Sequence, residues 1–479
     1  VVSIRGSSPE QVLVLVNGHR LNSAQGGGVD MSTISTDMIE RIEIMRGGGS
    51  AVYGENAVGG VINIITRDGY GEKLSAMLKY SAGLFNTHTV GGSLSSGLGP
   101  EDRFDLFFSG EGLYTAGNYR FEDLNAGQDY RERSNESGLR GTLAGKLGWD
   151  ISPGQGLRLT LAGNYNRSKK GVPGLKEFPS SNAVMHNEQA AGVLSFGFYS
   201  NRIASLSLDL HGQLRNRHYK DPQYFLGSMN DKHSLRNAGT DLVLKRRDGF
   251  KFLKMQNTVA WHLRYDYLQT TAMQKSGDTI LENACVKRWQ NSIAWRGDFH
   301  FFPWPQTGNG RFSFFSSVRL DIDELYGNNF NFNLGWMLPL DKEKKTMLKG
   351  NAGTGYRVPS FNDLFWPATS FAVGNSDLLP EKAVIYDIGL LTRPLSFFSF
   401  EAVYFGHHVR NLIQWQPGPD GRWRPGNIGK ARLRGAEVET VFLFRFTQLK
   451  LFLEVTGNYT YLFATDITAG SPSYGKQLP

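Results

Sequence analysis

From about residue 70 onward the sequence alternates apolar and polar residues with a period of two, segment after segment. Leu157, Leu159, Leu161 and Tyr165 point one way, and Arg158, Thr160, Asn164 and Asn166 the other. Leu206, Leu208 and Leu210 oppose Asp209, His211 and Gln213. Successive side chains on a strand point to opposite faces, so each segment carries one apolar and one charged face. A lipid-facing barrel with a wet lumen needs this pattern, and a water-soluble sandwich would also show it. Connector lengths separate the two. About 17 strands fit between residues 73 and 463, many of them 10–16 residues long, whereas soluble sheets average about five or six. Short connectors at 99–102, 151–155, 201–202, 247–250, 341–345, 394–396 and 447–448 interleave with long ones at 116–136, 169–186, 219–233, 272–285, 358–382 and 413–429. Residues 84–87 and 324–328 are short members of the long series. An up-and-down barrel with tight turns on one side and long loops on the other predicts this alternation; a Greek-key sandwich does not.

Composition agrees with strands rather than helices as the spanning elements. The richest apolar runs, 12–16 and 61–65, are about five residues long, far short of the roughly 18 that a membrane helix needs. The net charge of +8 is spread along the chain, and the densest cluster, Lys342 to Lys345, includes Glu343, so no nucleic-acid surface is expected. Cys285 is the only cysteine, which excludes an internal disulfide and a cysteine metal cluster. Val1 begins in polar, strand-like sequence without a charged and apolar leader, as expected of a processed or truncated chain. Phe301, Phe302 and Trp304 gather at a strand end, where a membrane barrel carries an aromatic girdle.

Residues 1–69 differ in texture. Three apolar β-like runs, 11–17, 39–46 and 58–66, are separated by the glycine-rich connectors 26–28, 47–49 and 59–60, as in a small mixed domain with close backbone turns. Within it, residues 39–66 read IERIEIMRGGGSAVYGENAVGGVINIIT. This closely resembles the distal plug motif of TonB-dependent receptors: I-E-R-I-E-V-x-R-G-P, then S-A-x-Y-G, then G-G-V-I-N-I-I-T. Gly48 stands where the family usually has proline, which is expected to loosen one turn. Residues 12–22, VLVLVNGHRLN, resemble the preceding plug strand V-L-x-D-G-x-R, with Asn17 for Asp. Later, GYRVPSFNDLFW at 355–366 and GNSDLLPE at 374–381 resemble the family's G-F-R-A-P-S-x-x-D-L-Y and G-N-P-x-L-x-P-E pair. Tyr386 to Gly389 and NIGKARLRGAE at 427–437 resemble the starts of the strands that follow.

The resemblance implies an all-β membrane barrel of the 22-stranded type, incomplete here at about 17 strands, around a small α+β plug. Residues 1–69 would be the C-terminal half of the plug and 70–479 the barrel. The expectation is thus a fragment without the plug N-terminus and the last barrel strands, seen as an open barrel with unpaired first and seventeenth strands. The implied activity is energised uptake of a scarce bulky ligand, cobalamin or a ferric siderophore, in the outer membrane of a Gram-negative-type bacterium. The protein would be a monomer in outer-membrane lipid that couples to TonB through a segment preceding Val1. A passive pore or adhesin on the same barrel is the competing class.

The family pairs plug arginines with barrel carboxylates, so Arg41, Glu43 and Arg46 in the plug and Asp387 and Glu437 in the barrel are the expected ionic contacts. The apical plug loop 22–30 offers Asn22, Ser23, Gln25 and Asp30 to a ligand, and the loop 358–382 adds Phe361, Asn362, Phe365, Trp366 and Phe371. Residues 47–54 satisfy neither a phosphate loop nor a dinucleotide motif, and no G-x-S-x-G is present, so no enzyme, cofactor or catalytic residue is expected. No metal site is expected either. His407 and His408 fall on opposite strand faces, His186 and His233 lie at loop ends, no loop histidine lies between residues 357 and 379, and Asp123 and Asp129 are too few for calcium.

Overall fold

The computed structural model describes residues 2–71, 73–100, 103–123, 128–174, 179–200, 204–224, 227–276, 278–301, 312–368, 372–470 and 474–477. Two β-structures make up the molecule. A four-stranded sheet comprises β1 (Val12–Val16), β2 (His19–Arg20), β3 (Ile39–Arg46) and β4 (Gly60–Thr66), in the order β2-β1-β4-β3. β1 and β4 are parallel and central, with Val12 opposite Gly60 and Val16 opposite Ile64. Both faces of β1 are covered: Val12 and Val14 pack with Leu21, Ile62 and Ile64 on one side, and Leu13 and Leu15 with Ala57 and Val61 on the other. A parallel pair buried on two faces reads as a continuous apolar run, which is why VLVLV and VINII lack alternation.

Seventeen long strands, from Ser75–Gly83 to Leu451–Asp466, surround this sheet as an antiparallel barrel. Alternation places leucines and aromatics outside. Leu206, Leu210, Leu214, Leu242, Val259 and Trp261 are exposed, while Gln213, Asp266, Arg288, Arg319 and Asp321 are buried on the inner face. A band of exposed rings lies at the short-turn end: Phe104 stacks on Trp149 at 5.7 Å, Phe301 lies 5.9 Å from Phe312, and Phe198 and Phe250 continue the band. Phe302 and Trp304 lie outside the described residues. Among the described residues no helix is long and apolar enough to cross a membrane.

The structure refines three expectations. The strand order runs round from the last strand to the first, but among the described residues Ser75–Gly83 pairs only with Thr87–Leu98 and Leu451–Asp466 only with Lys430–Phe446, so the wall curls round the small sheet to a seam at which the expected unpaired edges remain. Every other neighbouring pair is joined by a ladder, with irregularities at Asp150–Ser152, Asp221–Tyr224 and Thr392–Leu395; across this seam none runs among the described residues, and Leu78 and Tyr459 stay exposed there. Secondly, the loops expected at 219–233 and 272–285 are mostly strand. Ala204–Tyr224, Gly227–Phe250, Leu253–Ser276 and Asp278–Phe301 run on in register to nearly direct reversals. Above the lipid band both faces of a strand meet polar surroundings, so alternation fades while the hydrogen-bond ladder continues. Thirdly, Gly48 is a point of contact with the wall as well as a turn position. A Cβ there would lie 2.9 Å from Ile385 Cδ1, so the missing side chain seats the small sheet against the wall, while Gly47 makes the turn at φ +88°.

The inside–outside assignment makes a direct prediction. Leu210→Arg, on the outer face at mid-strand, should lower barrel stability in lipid by roughly 2–4 kcal/mol, measured by urea unfolding. Thr258→Arg, on the inner face, should cost much less. Equal losses at the two positions would remove the lipid-facing assignment.

Candidate functional site

The helix α1 (Ser50–Tyr53) and the turn after it dock the inner domain on the wall. Ser50 Oγ accepts from the Tyr356 amide at 3.3 Å, and the Asn56 amide donates to the Tyr356 carbonyl at 3.0 Å. Gly54, at φ +86°, closes α1 beneath Arg319, whose Nη2 would lie 3.0 Å from a Cβ at this position. A side chain there would therefore face both backbone strain and a guanidinium.

Glu55 then projects into the wall, only 2% exposed. Arg288 Nη2 donates to its Oε2; Arg20 Nη1 and Arg264 Nη1 reach its Oε1 at 3.2 and 3.4 Å, and Gln290 Nε2 reaches Oε2 at 3.4 Å. The wall groups are themselves ordered by cross-strand pairing. Asp266 is opposite Arg288, Arg264 opposite Gln290, and Gln290 opposite Asp323. Asp323 Oδ2 accepts from Arg288 Nε at 2.8 Å, and Asp266 Oδ1 from Arg264 at 2.9 and 3.0 Å. Burial alone would push the Glu55 carboxyl up; Arg288, Arg20 and Arg264 together override it and hold it down at about 2.

A second contact lies further round the wall, on the strands Glu381–Leu395 and Lys430–Phe446. Arg5 donates to both oxygens of Glu437, at 3.1 and 2.7 Å, lies 3.7 Å from Asp387 and stacks over Phe405. Arg46 approaches Glu437 and Glu439 only at 3.8 and 3.6 Å. Thus Asp387 and Glu437 do meet the inner domain, but through Arg5 first. Arg41 and Glu43 pair with each other at 3.0 Å on the exposed edge β3 and, among the described residues, do not bridge to the barrel, which corrects that expectation. Elsewhere Lys79 binds Asp37 at 2.7 Å, and Arg140 and Arg215 donate to the carbonyls of Ser32 and Leu21.

The apical loop is largely structural. Asn22 Oδ1 accepts from the Val14 amide at 2.7 Å and its Nδ2 donates to the Val12 and Gly27 carbonyls. Ser23 Oγ accepts from the Gln25 amide, and Gln25 is buried. Asp30 is exposed and caps a short turn through Ser32. From above, the helix α2 (Phe361–Phe365) donates its first amides, Phe361 and Asn362, to the Ala24 and Gln25 carbonyls, both at 2.8 Å. Phe361 is buried against Leu235, Leu268 and Val286, with Phe365 beside it. Asn22 and Phe361 are therefore engaged in holding the apex together, and Ser23 and Gln25 are buried within it. Trp366 remains open, 6.1 Å from Trp415 in a T-shaped pair, with Asn362 half-buried nearby. Phe371 lies outside the described residues. His186 shares the outward face of its strand with Phe196 and Phe198, whereas His233 faces inward and bonds Thr270.

The two barrel motifs meet at one point that sequence spacing does not reveal. Arg357 binds Glu381 at 2.6 Å and Asp363 at 3.0 Å; Glu381 accepts from Gln11 Nε2 at 2.7 Å, and Asp363 from Trp415 Nε1 at 2.9 Å. The Arg of GYRVPS, the Asp of FNDL and the Glu of LLPE thus fix α2 over the apex.

The Glu55 lock is testable. Glu55→Gln leaves buried arginines uncompensated and should destabilise the inner domain by about 3–5 kcal/mol, read as faster amide exchange in β1 and β4. Because the folded Glu55 value lies below the ordinary 4.5, its contribution is present above pH 4.5 and is lost as pH falls through about 2. Amide protection should fall over that window in the native protein by an increment that Glu55→Gln lacks; identical profiles would refute the lock.

Comparison with known proteins agrees with this architecture. A family model for the TonB dependent receptor-like β-barrel matches residues 46–479, and one for the TonB-dependent receptor plug domain matches residues 1–61. That match assigns a plug domain to residues 1–61, where the expectation was the C-terminal half of one over 1–69. The vitamin B12 transporter BtuB of Photobacterium profundum is 27% identical over 475 residues, covering 97% of this chain and 69% of that protein. BtuB of Vibrio vulnificus is 27% identical over 455 residues, covering 92% and 66%. The siderophore receptor PirA of Pseudomonas aeruginosa shares the fold with a TM-score of 0.73 at 17% identity, over 97% of this chain and 79% of that one. PirA of Acinetobacter baumannii gives 0.74 at 16%, over 98% and 74%. A docked inner sheet, a seventeen-stranded wall and these matches lead to one conclusion: the chain belongs to the TonB-dependent receptor family, whose members are receptors and transporters rather than enzymes.

Proposed function

We propose that the protein is an outer-membrane receptor for energised uptake of a bulky ligand, cobalamin or a ferric siderophore, in a Gram-negative bacterium. Residues 1–69 act as its plug and 70–479 as its barrel. The observation that carries this reading is the closed polar contact between plug and wall: buried Glu55 among Arg20, Arg264 and Arg288, and the apex bonded to α2. A lumen filled in this way passes nothing large unless the plug moves. Work done on the plug by TonB supplies that movement. The kinship with vitamin B12 transporters and the fold shared with siderophore receptors support the ligand class.

The outer face supports a large, partly apolar ligand. Trp366 and Trp415 form an aromatic ledge beside Asn362, and Asp30 stands exposed on the apical loop. Aromatic rings give wide contact at little entropic cost. Nearby, Asp420 is held well below the usual carboxylate range by hydrogen bonds from Arg422 and Arg424, so this loop remains an ion-paired surface in neutral and mildly acidic media.

Two measurements test the reading. Full-length protein should bind cyanocobalamin or one of a panel of ferric siderophores saturably, and Trp366→Ala should weaken that binding about tenfold or more, equivalent to about 1.4 kcal/mol. Cells carrying the protein should accumulate the labelled ligand only when TonB is present. Accumulation at the same rate without TonB would identify a passive pore instead.

A further inference from the structure

The turn between β1 and β2 carries His19 onto the inner face of the barrel, next in sequence to Arg20 of the Glu55 lock. There Asp209 stands opposite Asp241, Asp241 stands opposite His262, and His211 lies one inward position along from Asp209. His19 Nδ1 is 3.5 Å from Asp241 Oδ2, and His211 Nε2 is 3.3 Å from the same oxygen. Ligand atoms of His19, His211 and Asp241 all lie within 4.8 Å of one another. These spacings are long for N–H···O bonds, which centre near 2.9 Å. They match the separation of about 3.3 Å between ligand atoms on a tetrahedral ion with bonds of roughly 2.0–2.1 Å.

Three further features belong to the same arrangement. His19 Nδ1 is buried without a hydrogen-bond partner among the described residues. Gly239 faces His211 across the ladder, and a Cβ there would sit 2.6 Å from His211 Nε2, so the glycine leaves room for the imidazole to lean towards Asp241. His262 Nδ1 holds the other Asp241 oxygen at 2.7 Å, and Asp209 Oδ2 faces His19 Nε2 at 3.9 Å. Outer groups of this kind orient metal ligands and set imidazole tautomers.

We propose that His19, His211 and Asp241 bind a divalent transition-metal ion of the zinc class, with water in the fourth position, as a resident staple between plug and barrel. Two imidazoles and a carboxylate suit zinc, copper or nickel rather than calcium or magnesium. One ligand comes from the plug and two from the wall. The ion therefore adds a bond that must break before the turn at His19 can leave the barrel, independently of the cargo bound above.

The test uses full-length protein in detergent, stripped with a chelator and titrated with Co2+ and Zn2+. One equivalent of Co2+ should give the visible absorption of a tetrahedral site, and Zn2+ should displace it. His19→Gln, which keeps a hydrogen-bonding side chain at the turn, and Asp241→Asn should each weaken Zn2+ at least about 100-fold. Chelation should speed amide exchange across β1 and β2 in the native protein but not in His19→Gln. A native protein without the tetrahedral Co2+ band, or Zn2+ affinity unchanged in both variants, overturns the proposal.

Discussion

A single buried carboxylate sets the terms for the rest of the molecule. Glu55 has left water completely, and a lone charge in that position would be prohibitively costly. Its cost is offset only because guanidinium groups from β2 and from two wall strands converge on it, and because Asp266 and Asp323 hold those groups in place. The plug can occupy this position only with the barrel present, and the inward charges of that sector are compensated only with the plug present. Each body completes the other.

This mutual dependence explains why the family's motifs carry the residues they do. Ser50, Gly54, Glu55 and Asn56 form one docking edge: a hydroxyl acceptor, a turn without a side chain, a buried charge and an amide donor. Arg357, Asp363 and Glu381 form the matching brace in the barrel, tying α2 above the apex and reaching Gln11 below. Contacts made of discrete polar groups, rather than a greasy interface, can be broken and remade. That property suits a plug that must move inside a polar lumen.

The architecture was legible because strand periodicity is local. Leu206 to Leu210 against Asp209 and His211, and the alternation of short and long connectors, identify a lipid-facing barrel from the residues alone. The plug strands were legible for the same reason, within a residue or two of Val12–Val16 and Gly60–Thr66. Reading failed where solvent changes along a strand. The polar tops of Ala204–Tyr224 and Asp278–Phe301 look like loops because lipid no longer enforces alternation there.

Partner identity was not legible. Arg41 and Arg46 looked like the plug's bridging cations, yet Arg41 pairs with Glu43, Arg46 is half-exposed, and Arg5 takes Glu437. Glu55 sat within a recognised motif, but nothing local marked Arg288, 233 positions away, as its partner. Asn22 and Phe361 have the chemistry of ligand contacts and serve as internal braces instead. The sequence by itself determined the strand pattern, the inner and outer faces and the family, since these follow from neighbours within a few residues. Only the tertiary structure decided which charges are paired, which polar groups remain free, and that His19, His211 and Asp241 come together, because the curvature of the sheet and the seating of the plug bring distant residues into contact.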